Sequence, residues 1–191
     1  MELSPRLYHW IVRPKYTTDL YINNVLRSHF KFTDKTVLDF GCGIGSSSCL
    51  FPPANYLGVD LDSKRIAYAK HLYPEYNFKV FKGNSLPVAS SSLDYIVIIA
   101  VLHHIAPKEI QFYLQEFRRL LKPYGKIIVI EPCLFENSRF NNRFMRFLDK
   151  GKHIRTEKGY LDFFKGNKFK VRVIQKYRRL FYNEILFIAT V

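Results

Sequence analysis

The chain has 191 residues, of which 48% are hydrophobic and 16% are aromatic, so it is large enough to form one α/β domain with a full core. It has no run of 18 apolar residues and no signal-peptide pattern at its start, which argues against a transmembrane span and a secreted protein. Its three cysteines show neither a paired framework nor metal-ligand spacing. We therefore expect a reduced, cytoplasmic protein without a bound metal.

The net charge of +14 is concentrated near the end of the chain, since residues 131–191 contain 14 Lys and Arg against 6 Asp and Glu. Such an excess attracts anionic partners, namely phosphorylated substrates, acidic membrane surfaces or nucleic acid. The alternative is an ordinary solvated surface on a basic protein. Near the start, Thr17 is placed to cap a helix over residues 18–29.

A buried strand is predicted at Val37-Leu38-Asp39-Phe40, because this mostly apolar run leads into glycines at positions 41, 43 and 45. Glycine lets the backbone turn sharply and lets a ligand approach it closely. Three serines follow and can open a short helix, which the prolines at 52 and 53 would end. A nucleotide site is expected beyond the carboxyl end of this strand. The dinucleotide fingerprint requires glycine at position 46, where the chain has Ser46.

The second strand is predicted at residues 56–60 and ends in Asp60, 21 residues after Asp39. An acid at this spacing is placed to accept hydrogen bonds from ribose hydroxyls. Asp62 is the weaker candidate, because either it or Ser63 can cap the helix predicted over residues 64–73. Asp39 would repel a pyrophosphate but suits a cationic amino-acid group.

Further along the chain, side chains that alternate between two faces predict a third strand over residues 77–82, with Phe78 and Val80 on one face. The apolar run 93–101 predicts a strand buried on both faces. An amphipathic helix is predicted over 107–122, with the apolar stripe Ile110, Leu114, Phe117 and Leu121. A turn at 123–125 and a fifth strand over 126–131, ending in Glu131, follow.

The last third of the chain begins with a predicted helix over about 138–150 that alternates phenylalanines with arginines. Its apolar stripe is Phe140, Phe144, Phe147 and Leu148. Such a helix can rest on a membrane surface or lie over an acidic substrate; alternatively, its phenylalanines pack on the body and its arginines face water. A short helix is predicted from Thr156 to about Phe164.

Two final strands are predicted, over residues 168–177 and 184–191. They must be antiparallel, because the six residues between them are too few for a parallel crossover. We therefore predict an α/β fold with a mostly parallel sheet and an antiparallel C-terminal hairpin.

Several segments in this order resemble the class I S-adenosylmethionine-dependent methyltransferases of the type 11 kind. They are the glycine loop, Gly58-Val59-Asp60, Leu102-His103-His104 and the phrase RRLLKPYGKIIVIEP at residues 118–132. The resemblance covers about residues 35–132. It implies a three-layer Rossmann-like sandwich with a seven-strand-type sheet, formed by a single domain over 1–191. Within it, residues 1–30 would act as a lid and 132–167 as a cap-like insertion.

The resemblance also implies that S-adenosyl-L-methionine is the cofactor and indicates which residues contact it. The implied cofactor-binding residues are Tyr16, Asp39, Gly41, Cys42, Gly43, Gly45, Asp60, Leu61, Asn84, Ser85 and Ala100. Tyr8 and Arg13 are further lid candidates, although all three lid residues could simply pack. Asn84 replaces the aspartate usual in the family, and its amide oxygen can still accept a bond from an adenine amino group, without the charge.

The candidate catalytic residues are His103 and His104, because imidazole titrates near neutral pH. Of the two, His103 is expected in the site and His104 in structural packing, and Glu131 is a weaker second base. Alternatively, both histidines are structural. A base is needed only if the methyl acceptor is a hydroxyl or a carbon acid.

The expected partner is a small-molecule methyl acceptor, for which an anionic or lipid-like compound is the candidate class, and peripheral membrane contact is compatible with the charge. The alternatives are methylation of RNA or protein, and a non-catalytic cofactor-binding module. The Asn/Asp-Pro-Pro-aromatic run expected of enzymes that methylate exocyclic amines is absent, since the chain reads Ala100-Val101-Leu102-His103 at that place.

Overall fold

The computed structural model describes residues 15–82, 85–148 and 153–191, and the chain divides into two compact units between residues 83 and 84. None of the helices in these described ranges is long and apolar enough to cross a lipid bilayer.

The first unit opens with a helical segment in three parts. These are α1 (Lys15–Thr18), a π-helical turn (Asp19–Asn23) and α2 (Asn24–His29). The predicted end at His29 is confirmed. The predicted cap is wrong, because helical backbone already begins at Lys15 and Thr17 lies inside it.

Three parallel strands follow in the first unit, in the order β3-β2-β1. Their bounds are Val37–Phe40 (β1), Tyr56–Asp60 (β2) and Asn77–Val80 (β3). After the glycine loop the chain forms only two short 3₁₀ turns, Ser48–Leu50 and Pro53–Asn55, where a short helix was expected. The helix α3 spans Ser63–Leu72, and Asp62 caps it by accepting from the backbone N–H groups of Lys64 and Arg65.

The predicted alternation of β3 is wrong at its end. Phe78 is buried as expected, but Val80 is 40% exposed and Phe81 is buried. The reason is that the regular strand ends at Val80, after which Phe81 turns inward. Its backbone N–H donates to the carbonyl of Asp60 at 2.9 Å, and its ring lies 6.4 Å from that of Phe40.

The second unit contains the remaining described strands, in the order β4-β5-β8-β7, with the two-residue β6 paired to β5. Their bounds are Leu93–Ile99 (β4), Leu121–Leu134 (β5), Arg155–Thr156 (β6), Lys170–Arg179 (β7) and Tyr182–Thr190 (β8). β4 and β5 are parallel, whereas β8 is antiparallel to both β5 and β7. The predicted fold class, a mostly parallel α/β sheet with an antiparallel C-terminal hairpin, is confirmed.

Three helices accompany these strands, namely α4 (Pro107–Leu120), α5 (Arg139–Leu148) and α6 (Glu157–Gly166). The stripe predicted on α4 is buried, and Thr156 caps α6 as expected. On the outer side of α4, Arg119 forms an ion pair with Glu116. The turn predicted at 123–125 lies inside β5, where the pairing with β4 shifts register between Leu93 and Tyr95.

Of the two alternatives for α5, the one in which its phenylalanines pack on the body is contradicted for Phe140 and Phe147. Phe140 and Phe147 are 69% and 87% exposed, whereas Met145 is fully buried. The side chain of Leu148 lies outside the described residues. The orientation follows from Asn142, whose amide donates to the carbonyl of Phe135 at 2.7 Å and accepts from its N–H at 3.2 Å. The helix therefore presents polar side chains to the protein and phenylalanines to solvent.

Candidate functional site

The glycine loop follows β1 directly. Gly41, Gly43 and Gly45 all adopt the left-handed conformation, with φ of 77°, 56° and 76°. Side chains with a Cβ rarely adopt this conformation, so the glycine spacing fixes the shape of the turn. The backbone N–H groups of Gly41 and Cys42 both donate to the carbonyl of Val59, at 2.8 and 3.0 Å, which holds the loop against the end of β2.

The glycines differ in what surrounds them. A Cβ at Gly45 would come within 2.7 Å of the ring of Phe78, and a Cβ at Gly58 would meet the same ring at 2.7 Å. At Gly43, by contrast, a Cβ would meet nothing within 4 Å. Gly45 and Gly58 thus serve internal packing, whereas Gly43 leaves its backbone open to the approach of a ligand.

Asp60, at the end of β2, is held beside this open glycine. One carboxylate oxygen accepts from the N–H of Gly43 at 2.8 Å, and the other accepts from the N–H of Asp62 at 2.9 Å. A carboxylate has about four acceptor positions, so two such bonds leave capacity for a ligand. The structure therefore brings together two residues that the sequence selected separately, Gly43 and Asp60.

Asp39 is buried, and its carboxylate accepts a hydrogen bond from the hydroxyl of Tyr56 at 2.8 Å. Burial, followed by the charge of Asp39, raises the pKa of Tyr56 well above its ordinary value. The hydroxyl thus remains a donor to Asp39 at neutral pH. Tyr56 is a partner that the sequence analysis missed, because nothing in the strand pattern distinguishes a hydrogen-bonding tyrosine from a packing one. Contact between Asp39 and a cationic ligand group stays a prediction.

Cys42 lies within the loop, and burial raises the pKa of its thiol well above the ordinary value, with Asp39 and Asp60 contributing to the same effect. A thiol that stays protonated is a poor nucleophile. This environment fits Cys42 as a small filler of the turn.

The other predicted cofactor residues are placed as follows. Tyr16 and Leu61 are exposed, Ser85 is exposed, and Ala100 follows β4 with a positive φ of 55°. The backbone N–H of Ala100 donates to the carbonyl of Ile130 at 2.8 Å. Tyr8, Arg13 and Asn84 lie outside the described residues.

In the second unit, Glu131 organises the segment that follows β4. Its carboxylate is fully buried and accepts from the backbone N–H groups of Val101, Leu102 and His103, at 2.7, 2.7 and 3.2 Å. The same carboxylate bonds to Nδ1 of His103 at 2.7 Å. The sequence analysis treated Glu131 as a weaker base, whereas its position shows a carboxylate that holds a turn and a histidine ring.

The bond to Glu131 determines which ring nitrogen of His103 carries the proton. An ionised carboxylate only accepts, so Nδ1 is the donor, and Nε2 of the neutral ring is the acceptor. His103 is 3% exposed. His104, expected in structural packing, is instead exposed, with its ring centroid 4.0 Å from that of His103. That expectation is wrong because the Leu102–His104 turn directs only the first histidine to Glu131.

Arg155 is a further residue of this cluster that the sequence analysis missed. Its guanidinium donates to the carbonyls of Leu102 and Ile105, at 2.9 and 3.0 Å, and lies 5.0 Å from the ring centroid of Phe163. Arg155 thus braces the histidine turn from its outer side. No sequence signal could have found it, because some 50 residues separate it from the carbonyls that it binds. Within the described residues, no group of three or more potential ligands could hold a metal ion.

The chain is similar to known methyltransferases, both in part of its sequence and in its fold. A family model described as a methyltransferase domain matches residues 38–129. The ubiquinone/menaquinone biosynthesis C-methyltransferase of Syntrophotalea carbinolica is 32% identical over 103 residues, which cover 50% of this chain and 43% of that protein. The tRNA (carboxymethyluridine(34)-5-O)-methyltransferase of Saccharomyces cerevisiae is 33% identical over 72 residues, covering 38% of this chain and 26% of that protein. The chain thus spans less than half the length of these curated relatives.

A solved structure shares the fold over the whole chain. The S-adenosylmethionine-dependent methyltransferase from Aquifex aeolicus superposes with a TM-score of 0.73 at 20% identity, covering 100% of both chains. The family match begins in β1 and ends in β5, a stretch that includes the glycine loop, Asp60 and the histidine turn. Residues 38–129 thus match a methyltransferase-domain family, and the chain shares the fold of an S-adenosylmethionine-dependent methyltransferase.

Proposed function

We propose that this chain binds S-adenosyl-L-methionine and transfers its methyl group to a small-molecule acceptor. The observation that carries the proposal is the fixed carboxylate of Asp60 beside the open backbone of Gly43. The match to a methyltransferase-domain family supports the reaction class, and the residues of this chain determine how the cofactor would be held.

The first unit fits the adenosine part of the cofactor. Asp60 retains acceptor capacity after its two backbone bonds, which suits the two hydroxyls of a ribose, and Gly43 provides the close approach. Leu61, exposed directly after Asp60, offers an apolar side chain for the adenine. When bound, the cofactor supplies an electrophilic methyl group on a sulfonium that departs as a neutral thioether.

His103 is the proposed base for an acceptor that must lose a proton. With Nδ1 donating to Glu131, Nε2 is the atom that takes up the proton, and the buried carboxylate then stabilises the charged ring. Positioning of the acceptor supplies most of the acceleration, because good alignment alone accounts for about 7–11 kcal/mol of a barrier. An acceptor nitrogen with a free lone pair would not require His103.

The chain lacks the run expected of enzymes that methylate exocyclic amines, which argues against that one type of RNA methylation. A quinone-pathway C-methyltransferase among the relatives supports an apolar acceptor. Methylation of RNA is the second candidate, supported by the net charge of +14 and by a relative that acts on tRNA.

The cofactor proposal is tested by calorimetric titration of S-adenosyl-L-methionine into the wild type and two matched variants. Asp60→Ala removes two charge-assisted bonds to the ribose, each contributing about 1.5–3 kcal/mol, so affinity should fall by about 100-fold or more. Asp62→Ala removes a carboxylate two residues away that caps α3. The Asp62→Ala variant should bind the cofactor with wild-type affinity and should lose only stability. Equal affinities for Asp60→Ala and wild type would refute the assignment.

The acceptor is tested by incubating the protein with methyl-tritiated cofactor and a fractionated cell extract. Label should enter the small-molecule fraction. Label confined to RNA that is sensitive to ribonuclease would favour the second candidate. If the acceptor is a hydroxyl or carbon acid, His103→Gln should lower kcat in the pH range where the wild-type imidazole is unprotonated, because only the unprotonated ring accepts a proton. His104→Gln should leave the pH profile unchanged.

A further inference from the structure

The helix α5 and the tip of the β7–β8 hairpin expose a group of apolar side chains next to arginines. We call the set of these residues the basic aromatic surface. It comprises Arg139, Phe140, Arg143, Arg146, Phe147, Leu180 and Phe181. Phe147 and Leu180 are the most exposed of the apolar members. Single exposed apolar residues are common, but a contiguous group of them marks an interaction site.

The exposure of this surface is built into the fold, because the opposite face of α5 is fixed by polar contacts. The amide of Asn142 bonds to the backbone of Phe135 in both directions, and the amide of Asn183 donates to Asn142 at 3.2 Å. Asn183 is fully buried and also bonds to Ser138. The helix cannot rotate its phenylalanines inward without breaking this buried network. Asn142 is half-buried and Phe147 is 87% exposed, which is the reverse of the usual arrangement.

The helix and the hairpin form one continuous apolar patch. The ring of Phe181 lies 6.0 Å from that of Phe140 and 4.8 Å from that of Phe144, which in turn contacts Tyr182 at 6.2 Å. Leu180 extends the patch beyond these rings at the tip of the turn. The apolar side chains thus come from two elements far apart in sequence, and the same solvent-facing surface holds them.

The charge around this patch is mostly positive, although the exposed Glu136 directly precedes it in the chain. Residues 137–148 and 168–183 together contain nine Lys and Arg and no Asp or Glu. Of these, Lys176 pairs with Glu157. Arg139, Arg143 and Arg146 are exposed along one side of α5, where they line an open depression of about 550 Å³ together with Phe147. A partner of this surface must therefore be anionic as well as apolar.

We propose that the basic aromatic surface binds the surface of anionic lipid membranes. An amphipathic helix of this composition lies in the plane of the headgroups, with its apolar side chains at the acyl boundary and its arginines near the phosphates. RNA is the less suitable partner. The ring of Phe181 packs edge-on against Phe140 and at a tilt against Phe144, so these three rings do not form a row of parallel platforms for successive bases. Leu180 would add nothing to base stacking.

The test is sedimentation of the full chain with vesicles of equal amounts of phosphatidylcholine and phosphatidylglycerol, and with vesicles of phosphatidylcholine alone. The wild type should sediment with the anionic vesicles and should not bind the neutral ones. Each arginine near an anionic surface contributes about fivefold to partitioning. Replacing Arg139, Arg143 and Arg146 by Gln should therefore weaken binding by about 100-fold. Phe147→Ser should weaken it by about tenfold, because an apolar side chain is no longer buried.

The matched controls change the same chemistry elsewhere. Arg27→Gln removes an exposed arginine on α2, and Tyr124→Ser removes an exposed aromatic ring in β5. Both should bind vesicles like the wild type, and all variants should keep the wild-type thermal midpoint. The proposal is overturned if the arginine variant binds anionic vesicles as tightly as the wild type. Binding to a single-stranded RNA oligonucleotide without binding to anionic vesicles would also overturn it.

Discussion

Replacement of Glu131 by Gln tests the buried cluster at the end of β5 without changing the size of the side chain. In the folded chain, one oxygen of Glu131 accepts from Val101 and Leu102, and the other accepts from both the backbone and the ring of His103. The amide oxygen of Gln can replace the oxygen that accepts from Val101 and Leu102. Its NH₂ group must then face two donors of His103, the backbone N–H and the ring Nδ1–H.

The expected cost follows from these contacts. The variant loses bonds to a charged acceptor, each contributing about 1.5–3 kcal/mol, and leaves a buried backbone donor unpaired at about 1–3 kcal/mol. The ring relieves part of this cost by moving its proton from Nδ1 to Nε2. We therefore expect a loss of about 2–4 kcal/mol in the free energy of unfolding. For a chain of this size, the loss lowers the thermal midpoint by about 5–15 °C.

The assay is urea unfolding followed by circular dichroism, together with thermal melts at neutral pH. Glu109→Gln is the matched control, because Glu109 is exposed and accepts only one long bond, from Ala106 at 3.3 Å. It should change stability by less than about 0.5 kcal/mol. If Glu131→Gln unfolds at the same urea concentration as Glu109→Gln, the carboxylate does not hold the turn in the way described.

Three further predictions concern other parts of the chain. Tyr56→Phe leaves the buried Asp39 without its hydroxyl donor and should cost about 1–3 kcal/mol in urea unfolding; an unchanged midpoint would contradict the bond. A neighbouring arginine lowers the pKa of Glu116, so this pair stabilises the fold above the ordinary pKa of 4.5 and is lost as the pH falls through the lower folded value. As the pH falls, Glu116→Gln should therefore lose less stability than the wild type. Equal slopes of stability against pH for the two proteins would contradict this prediction. In thiol titration, the exposed Cys49 should react first, while Cys133, whose pKa burial raises to about 12, should react only on unfolding.

The local features of the fold could be predicted from the sequence. The glycines at 41, 43 and 45 predict a tight turn after β1, and the short connection between the last two strands requires them to be antiparallel. Asp60 could be proposed for the ribose because of its distance along the chain from the loop, and this role stays a prediction. Each of these inferences rests on residues that are close in sequence or at a fixed spacing.

The rest could not be predicted, because it depends on pairs that the fold brings together. Glu131 and His103 are 28 residues apart, and they meet only because β4 and β5 are adjacent and parallel. The orientation of α5 depends on Asn142 and Asn183, which are 41 residues apart. Helical periodicity predicts which residues of α5 share a face, but it does not predict what each face packs against. The sequence therefore left open whether the phenylalanines of α5 pack on the body or face outward.

Asp60 accepts two backbone hydrogen bonds, from Gly43 and from Asp62, and this arrangement has a consequence for the rate of ligand binding. The carboxylate proposed to bind the ribose also anchors the turn, so the same two hydrogen bonds hold the loop in shape. A preorganised pocket loses little conformational entropy on association. Binding at this loop should therefore be a single fast step, with no slow rearrangement in a stopped-flow trace.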